Sequence, residues 1–241
     1  MNHKKTLAEE LKRKAAYAAV KHVEGGFVVG LGSGSTAAYA IEALGERVKH
    51  EKLGLLAVPT SYQAFLLAVK CGIAVTTLDE HPMINVTIDG ADQIDPKLNL
   101  IKGMGAALAR EKIVASVSKQ NIIIADGSKK VKALGENGHP VPVEVLPFAI
   151  ASVKAMIEAV GGKATLREGK AKLGPVITDN GNAVIDAVFG VISNPAALEI
   201  KLKMIPGVVE TGLFLGLTDT AYVGTTSGVE KTERKRKQRF Y

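Results

Sequence analysis

The 241-residue chain is 46% hydrophobic and 23% charged, so it can bury a sizeable core and keep a charged surface, as globular enzymes do. No apolar run approaches the roughly 20 residues that cross a bilayer, and the charged N-terminus lacks the apolar centre of a signal peptide, so a cytoplasmic location is expected. Of the formal net charge of +7, residues 231–241 supply six Lys/Arg and one Glu, which leaves the remaining surface nearly neutral.

The cysteine and histidine content argues against a metal centre. Cys71 is the only cysteine, which excludes an intrachain disulfide and a thiolate cluster. The histidines, at positions 3, 22, 50, 81 and 139, have no ligand-like spacing. We therefore expect no metal, while a site made of carboxylates alone stays open.

The first half of the chain alternates helical and strand patterns, which is typical of a parallel α/β sheet. Strands are predicted over 27–31, 55–58, 75–78, 85–88 and 122–125. Helices are predicted over 6–22, over 61–71 and over 106–118, and a further helix is predicted to run from the glycine-rich segment 32–36 to residue 48.

From residue 141 the order becomes β-α-β-β-α-β, which is the ferredoxin-like pattern. Its strands are predicted over 141–145, 164–167, 183–188 and 208–215, and its helices over 148–160 and 195–204. Residues 220–224 are expected to return to the first sheet. The predicted fold is α/β: a Rossmann-like parallel-sheet domain of residues 1–135 and 217–241, with an inserted, smaller ferredoxin-like α+β domain of residues 136–216.

The segment Gly30–Thr36 (GLGSGST) lies where the first predicted strand passes into a helix. Glycines let backbone N–H groups approach an anion, the helix N-terminus adds partial positive charge, and the hydroxyls are donors, so the segment suits a phosphate. The alternative is a turn in which Ser35 caps the helix. A P-loop is disfavoured because no lysine follows until Lys49, and a dinucleotide site because no carboxylate ends the next strand at residues 58–61.

Two further segments carry charged side chains. Asp89 and Asp92 follow a predicted strand, at the edge where open α/β sheets bind ligands, although they could equally cap backbone donors in a turn. In 101–112 (IKGMGAALAREK), Lys102 and the amides of the Gly-x-Gly turn could stabilise an oxyanion, and Glu111 could be a base. Taken alone, Glu111 is better explained as an exposed helical glutamate that pairs with a neighbouring charge.

Together these motifs resemble the ribose-5-phosphate isomerase type A family, and the likeness covers nearly the whole chain. The segments that carry it occur in the family's order: GLGSGSTA at 30–37, DGAD at 89–92, IKGMGAALAREK at 101–112, ADGSK at 125–129, PVEVLP at 142–147, VITDNGN at 176–182 and IPGVV at 205–209. Two positions depart from the commonest form: Met104 stands where a glycine is usual, and Ser33 where threonine is frequent.

The resemblance implies an aldose–ketose isomerase that interconverts ribose 5-phosphate and ribulose 5-phosphate through an enediolate. It implies Glu111 as the proton-transferring base, with Asp89, Asp92 and Lys102 as further catalytic residues. The implied substrate contacts are Lys12, Ser33, Gly34, Ser35, Thr36, Asp89, Gly90, Ala91, Asp92, Lys102, Gly103, Met104, Gly105 and Lys129. No cofactor is expected, because the hydrogen stays within the substrate, and no metal is needed if a lysine polarises the carbonyl. A homodimer or homotetramer is implied.

Two other classes of function are alternatives. A non-catalytic sugar-phosphate sensor would keep the phosphate-binding turn but lose the set Asp89, Lys102 and Glu111, which is intact here. An RNA-binding protein would use the basic segment 231–241 and bind RNA in a salt-sensitive way. No aromatic-studded nucleic-acid surface accompanies that segment in the sequence, and a solvated C-terminus explains it more simply, so neither nucleic acid nor membrane is an expected partner.

Overall fold

The computed structural model describes residues 2–170 and 173–235. They form two compact units, one of residues 2–91, 110–129 and 216–235 and the other of residues 92–109, 130–170 and 173–215. The helices are α1 (Asn2–Val20), α2 (Ser35–Glu51), α3 (Tyr62–Lys70), α4 (Leu108–Ser116), α5 (Ile150–Ala159) and α6 (Pro195–Lys203). The strands are β1 (Val28–Leu31), β2 (Leu56–Pro59), β3 (Ala74–Val75), β4 (Ile84–Gly90), β5 (Gln93–Ile94), β6 (Leu100–Ile101), β7 (Ser118–Asp126), β8 (Val141–Val145), β9 (Lys163–Leu166), β10 (Ala183–Val188), β11 (Val208–Thr211), β12 (Leu213–Phe214), β13 (Thr220–Thr225) and β14 (Gly228–Glu233).

The first unit is built on a sheet of order β14-β13-β7-β4-β1-β2-β3. Neighbouring strands pair in parallel, except that β14 runs antiparallel to β13. The chain steps outward from β1 through β2 to β3 and then resumes on the other side of β1 with β4. Open α/β sheets bind ligands at such a reversal of strand order, beside the carboxyl ends of the strands. The reversal lies here between the ends of β1 and β4.

The core of the first unit explains why its strands are rich in valine and isoleucine. β1, β4 and β7 lie inside the sheet and are buried along most of their length, as parallel strands covered on both faces are. The helices α1 and α2 contribute small side chains to the same core: Ala15, Ala16, Ala19, Ala40 and Ala43. The predicted parallel α/β sheet is confirmed.

The second unit contains an antiparallel sheet of order β11-β8-β10-β9, with α5 and α6 as the connecting helices. Numbered along the chain, its four strands lie in the order 4-1-3-2, which the ferredoxin-like β-α-β-β-α-β unit produces. Apolar side chains of the sheet and helices form its core, among them Val143, Val153, Ile157, Ile185 and Leu202. The predicted α+β architecture is confirmed.

The strand predicted over 208–215 is instead two strands in different sheets. Gly212 separates β11 from β12, and its N–H donates to Pro142 O at 2.6 Å. A Cβ on Gly212 would lie 2.3 Å from Lys102 O, so the chain passes too close to its neighbour for a side chain. β12 joins β6 and β5 in a three-stranded antiparallel sheet. This pairing groups residues 92–109 with the second unit, whereas the sequence placed them in the first domain.

Two predicted elements are shorter than expected. The helix predicted over 106–118 is α4, which begins only at Leu108 because Ala106 is left-handed, with φ of 59°. It ends at Ser116, since Ser118 already begins β7. The strand predicted over 75–78 is reduced to β3.

The basic segment 231–241 is partly strand. β13 pairs in parallel with β7, which confirms the predicted return of 220–224 to the first sheet. β14 pairs with β13 at the sheet edge and includes Lys231 and Glu233, so this part of the segment is an ordered strand, although its side chains are exposed as the sequence suggested. Residues 236–241 of the segment lie outside the described residues. Among residues 2–170 and 173–235, every helix falls short of the length and apolarity that a bilayer span requires.

A histidine contact ties the end of α1 to β13. His22 Nε2 lies 2.7 Å from the Tyr222 hydroxyl. Burial, followed by the charge of Lys231, lowers the pKa of His22 below its ordinary value, against an opposing effect of Glu233. The folded state therefore favours the neutral imidazole. The stability that the neutral His22 contributes to the folded state is complete above ~6.5, the pKa of a histidine in the unfolded chain. It is lost as the pH falls through the lower pKa of His22 in the folded protein.

Replacing His22 with glutamine should therefore flatten the acid side of the stability profile. We expect the wild type to lose more free energy of unfolding than the variant when the pH drops from about 7.5 to about 5.5, as measured by urea denaturation at both values. Equal losses in the two proteins would show that His22 does not set this dependence.

Candidate functional site

The glycine-rich segment forms a turn between β1 and α2. Gly32 N–H donates to Ile88 O at 3.0 Å, which fixes the start of the turn against β4. Gly34 has a left-handed φ of 94°, a conformation that favours glycine. Because Gly34 is the N-cap of α2, Ser35 is the first helical residue and not its cap. The turn thus presents the positive end of a 17-residue helix at the edge where β1 ends.

The residues that follow β2 hold this turn in place. Ser33 Oγ donates to Ser61 Oγ at 2.6 Å and lies 2.8 Å from Thr60 Oγ1. The Ser33 hydroxyl is therefore engaged in fixing the turn. Ser35 and Thr36 supply the other hydroxyls at the start of the helix.

Two lysines lie at the same edge of the sheet. Lys12, on α1, places its Nζ 3.4 Å from Ser35 Oγ, at the amino end of α2. The helix dipole repels a cation at this position, so a lysine there suits an anion bound between the two. Lys129 ends the short 3₁₀ helix Gly127–Lys129 that follows β7. The turn and Lys12 together form an arrangement suited to an anion within the first unit.

Asp89 lies near the carboxyl end of β4, beside the turn. Its side chain is 2% exposed, and Oδ1 accepts the N–H groups of Ser33 at 3.2 Å and Gly90 at 2.7 Å. A Cβ on Gly32 would lie 2.0 Å from Asp89 Oδ1 and 2.6 Å from its Cα, so only glycine leaves room for this carboxylate. Gly90 and Ala91 follow Asp89 in the chain. A buried carboxylate therefore lies against the backbone of a turn that is suited to an anion.

Glu111 lies in the first turn of α4 and is only 4% exposed, so it is not the solvated helical glutamate that local sequence favours. The guanidinium carbon of its neighbour Arg110 lies 5.9 Å from the centre of the Tyr62 ring, at the start of α3. The next residue, Gln63, accepts the Gly34 N–H at 2.8 Å through Oε1. The start of α3 thus links the start of α4 to the glycine-rich turn.

Lys102 belongs to the second unit and is 3% exposed. Its N–H donates to Gly212 O at 2.9 Å, which explains why the backbones at Lys102 and Gly212 lie so close together. Its ammonium lies 5.4 Å from the centre of the Phe214 ring, in cation–π range. The lysine is therefore held by both its backbone and its side chain.

The turn after Lys102 is held by Asp92. Met104 N–H donates to Asp92 Oδ2 at 3.0 Å, and Ala106 N–H donates back to Gly103 O at 3.0 Å. Gly103 and Ala106 are left-handed, with φ of 106° and 59°, whereas Met104 is not. Methionine at position 104 therefore requires no strained backbone, and Gly105 completes the turn.

Each unit holds part of the residue set that the sequence singles out. The first holds Lys12, Ser33, Gly34, Ser35, Thr36, Asp89, Gly90, Ala91, Glu111 and Lys129, and the second holds Asp92, Lys102, Gly103, Met104 and Gly105. Sequence reasoning missed Gln63, which touches the turn, and Arg167 with Asp186, which hold residues 103–104. No local pattern marks these contacts, because each joins segments far apart in the chain. Within residues 2–170 and 173–235, no group of three or more His, Cys, Asp or Glu is placed to hold a metal ion.

Comparison with known proteins identifies relatives that span nearly the whole chain. Residues 56–228 match the family model of ribose 5-phosphate isomerase A (phosphoriboisomerase A). The chain is 51% identical over 220 residues to ribose-5-phosphate isomerase A of Methanothermobacter thermautotrophicus, which covers 91% of this chain and 96% of the relative. It is 48% identical over 227 residues to the enzyme of the same name from Pyrococcus abyssi, covering 94% and 99%.

Solved structures agree with the sequence relatives. Ribose 5-phosphate isomerase A of Methanocaldococcus jannaschii matches with a TM-score of 0.90 and 45% identity, covering 93% of this chain and 99% of that one. A D-ribose-5-phosphate isomerase in complex with phospho-erythronic acid matches with a TM-score of 0.92 and 47% identity, covering 94% and 99%. The resemblance carried by the motifs is confirmed, and the chain belongs to the ribose 5-phosphate isomerase A family.

Proposed function

We propose that this chain, as an aldose–ketose isomerase of its family, interconverts D-ribose 5-phosphate and D-ribulose 5-phosphate, in the non-oxidative branch of the pentose phosphate pathway. The observation that carries the proposal is the buried Asp89 carboxylate, packed against Gly32 of an anion-binding turn at the reversal of strand order. An acid–base group beside a phosphate site suits the chemistry of a sugar phosphate. Relatives about half identical to the chain carry the name of this enzyme, which supports the choice of substrate.

The phosphate is held by the turn of residues 33–36. The backbone N–H groups and hydroxyls of Ser35 and Thr36 donate to its oxygens, and the amino end of α2 adds partial positive charge. Lys12 neutralises the anion from α1, and Lys129 approaches it from the end of β7. The position of Lys12 beside Ser35 supports this assignment.

Replacing Lys12 with methionine should therefore weaken substrate binding and leave the chemical step nearly intact. A hydrogen bond to a charged group contributes about 1.5–3 kcal/mol, so we expect KM for ribose 5-phosphate to rise about tenfold or more. The value of kcat should change by less than about twofold, because the lysine does not reach the reacting carbons. The matched control is Lys14→Met. Lys14 lies two residues after Lys12 on α1 and pairs with Glu10 at the surface. Equal KM values for the two variants would remove Lys12 from the phosphate site.

The first chemical task is ring opening, because the substrate exists mostly as a closed furanose. Opening moves a proton between two oxygens, which a carboxylate of restricted position can do. Asp89 takes this role: its Oδ1 is fixed by two N–H groups, so the carboxylate holds one orientation. The backbones of Gly90 and Ala91 line the substrate site.

The second task moves a proton from C2 to C1. Glu111 removes it beside the aldehyde and returns it to the neighbouring carbon, so the hydrogen stays within the substrate and no redox cofactor takes part. The enediolate formed between the two steps is negatively charged, and Lys102 and the amides of Gly103 and Gly105 stabilise it. Asp92 holds that turn through Met104 N–H, which supports a role in positioning it.

A phosphorylated sugar acid tests the whole assignment. Phospho-erythronic acid, which is bound in a related structure, carries a phosphate and a planar carboxylate that mimics the charge of an enediolate. We expect it to inhibit competitively against ribose 5-phosphate, and we expect erythronic acid without the phosphate to be about a hundredfold weaker or more, given the strength of charged hydrogen bonds. Inhibition that ribose 5-phosphate does not relieve would contradict a shared site.

We also propose that the chain forms a homodimer or homotetramer. Supporting this, α3 exposes apolar side chains at helical spacing: Tyr62, Leu66 and Val69 are 63%, 64% and 55% exposed in the single chain. Sedimentation equilibrium measures the assembly directly, and a monomer at micromolar concentration would contradict the proposal.

A further inference from the structure

We propose that Arg167, held by Asp186, is a positioning residue for the turn that follows Lys102, and that it sets the direction of that turn's N–H groups. The inference rests on the proposed function, in which Lys102 and this turn stabilise the enediolate. Neither residue belongs to the glycine-rich turn or carries a role in the reaction as described above.

Asp186 fixes the guanidinium of Arg167. Arg167 follows β9, and its Nε donates to Asp186 Oδ2, on β10, at 2.8 Å. Nη2 completes an ion pair with Asp186 Oδ1. Side chains held in this two-point manner keep the planar guanidinium in one orientation. Its remaining donor, Nη1, is thereby aimed at another segment of the same unit.

That donor contacts two successive carbonyls of the turn. Arg167 Nη1 donates to Gly103 O at 2.8 Å and to Met104 O at 3.1 Å. The first contact joins residues 64 positions apart in the sequence. The pairing of β9 with β10 is made by backbone hydrogen bonds, among them Arg167 N–H to Val184 O at 2.8 Å. The guanidinium is therefore not needed to join these strands. Its contacts with the Gly103 and Met104 carbonyls affect the turn instead.

The consequence follows from the geometry of the trans peptide, in which C=O and N–H point in opposite directions. With the Gly103 and Met104 carbonyls turned toward Arg167, the N–H groups of Met104 and Gly105 point away from it. Met104 N–H donates to Asp92 Oδ2 at 3.0 Å, which marks the side to which these amides point. Successive N–H groups on one side of a turn form an anion-binding concavity. Because Met104 N–H is engaged by Asp92, Gly105 N–H is the donor that Arg167 orients for the enediolate.

Arg167→Gln tests this assignment, because it keeps a polar side chain but loses the planar fork. We expect kcat for ribose 5-phosphate to fall about 10–100-fold, since small misplacements at a reacting centre have effects of this size. We expect KM to change less than about threefold, because the phosphate contacts lie on the turn of residues 33–36. Asp186→Asn should lower kcat less, and the double variant should be no worse than Arg167→Gln alone, as for residues that act as one unit.

Arg47→Gln is the matched control, because Arg47 makes the same kind of clamp elsewhere. Its Nη1 donates to Val20 O at 2.6 Å and Val23 O at 2.9 Å, and the rest of its guanidinium pairs with Glu51. Both variants should lose thermal stability to a similar degree, but only Arg167→Gln should lose kcat. Free guanidinium, below denaturing concentrations, should partly restore kcat of Arg167→Ala and should not raise that of Arg47→Ala.

The outcomes separate this inference from the proposed function. If the wild type isomerises ribose 5-phosphate but Arg167→Gln keeps its kcat, the positioning role is wrong. It is also wrong if Arg47→Gln loses as much kcat, because general destabilisation then explains both. If the wild type itself does not isomerise the sugar phosphate, the proposed function has failed, independently of Arg167.

Discussion

Replacing Glu111 with glutamine is expected to lower kcat for ribose 5-phosphate by about 10²–10⁴-fold, which is the range that general acid–base catalysis contributes. Glutamine has nearly the same shape, so the 4% exposed site keeps its packing while the side chain loses the ability to take a proton from C2. Substrate binding should change little, since the proposed phosphate contacts lie on the turn of residues 33–36. The measurement is steady-state kinetics, with binding of phospho-erythronic acid checked by calorimetry.

The control for this variant is Glu46→Gln. Glu46 is an exposed glutamate of α2 that contacts His50 Nε2 at 3.1 Å, so its loss should leave kcat unchanged. For Glu111→Gln, the loss of the Glu111 carboxylate from the first turn of α4 should lower the free energy of unfolding by less than about 1 kcal/mol. A Glu111→Gln enzyme with wild-type kcat would show that another group moves the proton.

Replacing Gly32 with alanine should abolish most activity although it replaces none of the side chains proposed to react. The new Cβ would lie 2.0 Å from Asp89 Oδ1 and 2.6 Å from Asp89 Cα. Rotating the Asp89 carboxylate cannot relieve the clash between the new Cβ and Asp89 Cα, so the backbones at the ends of β1 and β4 must separate. Such overpacking costs about 1–3 kcal/mol of stability. A displacement of about 1 Å at a reacting group lowers the rate about 10²-fold.

Gly54→Ala is the control for the alanine substitution. A Cβ on Gly54 meets no atom within 4 Å, so this variant should keep both stability and kcat. Circular dichroism and thermal melting establish that Gly32→Ala is folded at the assay temperature. A folded Gly32→Ala protein with kcat within about twofold of wild type would contradict a catalytic role for Asp89 at its observed position.

The phosphate-suited turn could be predicted because its signal is local. Glycines after a short apolar strand, followed by hydroxyl residues and a helix, occupy adjacent positions in the chain, as do the strand of β4 and Asp89 at its end. The packing of Gly32 against Asp89 could not be predicted, because it depends on which strands become neighbours. Periodicity indicates a strand but not its partner.

Glu111 shows the limit of local sequence more clearly. A glutamate between Arg110 and Lys112 on a helix is usually solvated, and only the resemblance to a family implied that it acts as a base. Its burial follows from how α4 meets the rest of the first unit, which includes the contact of Arg110 with Tyr62. Arg167 was interpreted only as the end of a strand, since its partners Gly103 and Met104 belong to a distant turn.

The fold was predictable where elements are long and periodic. The β-α-β-β-α-β order of the second unit and the return of β13 to the first sheet were both correct. The two-residue strands β5, β6 and β12 carry too few positions for a periodic pattern, so their three-stranded sheet was missed. That sheet also explains why residues 92–109 group with the second unit.

The most direct test of the proposed function is the conversion of ribose 5-phosphate by purified, chelator-treated protein, followed by the appearance of ribulose 5-phosphate. We predict wild-type turnover that survives chelation, requires the 5-phosphate, and collapses in Glu111→Gln while the variant still binds phospho-erythronic acid. A wild-type protein that binds the sugar phosphate but converts none of it would contradict the isomerase assignment and favour a sugar-phosphate sensor.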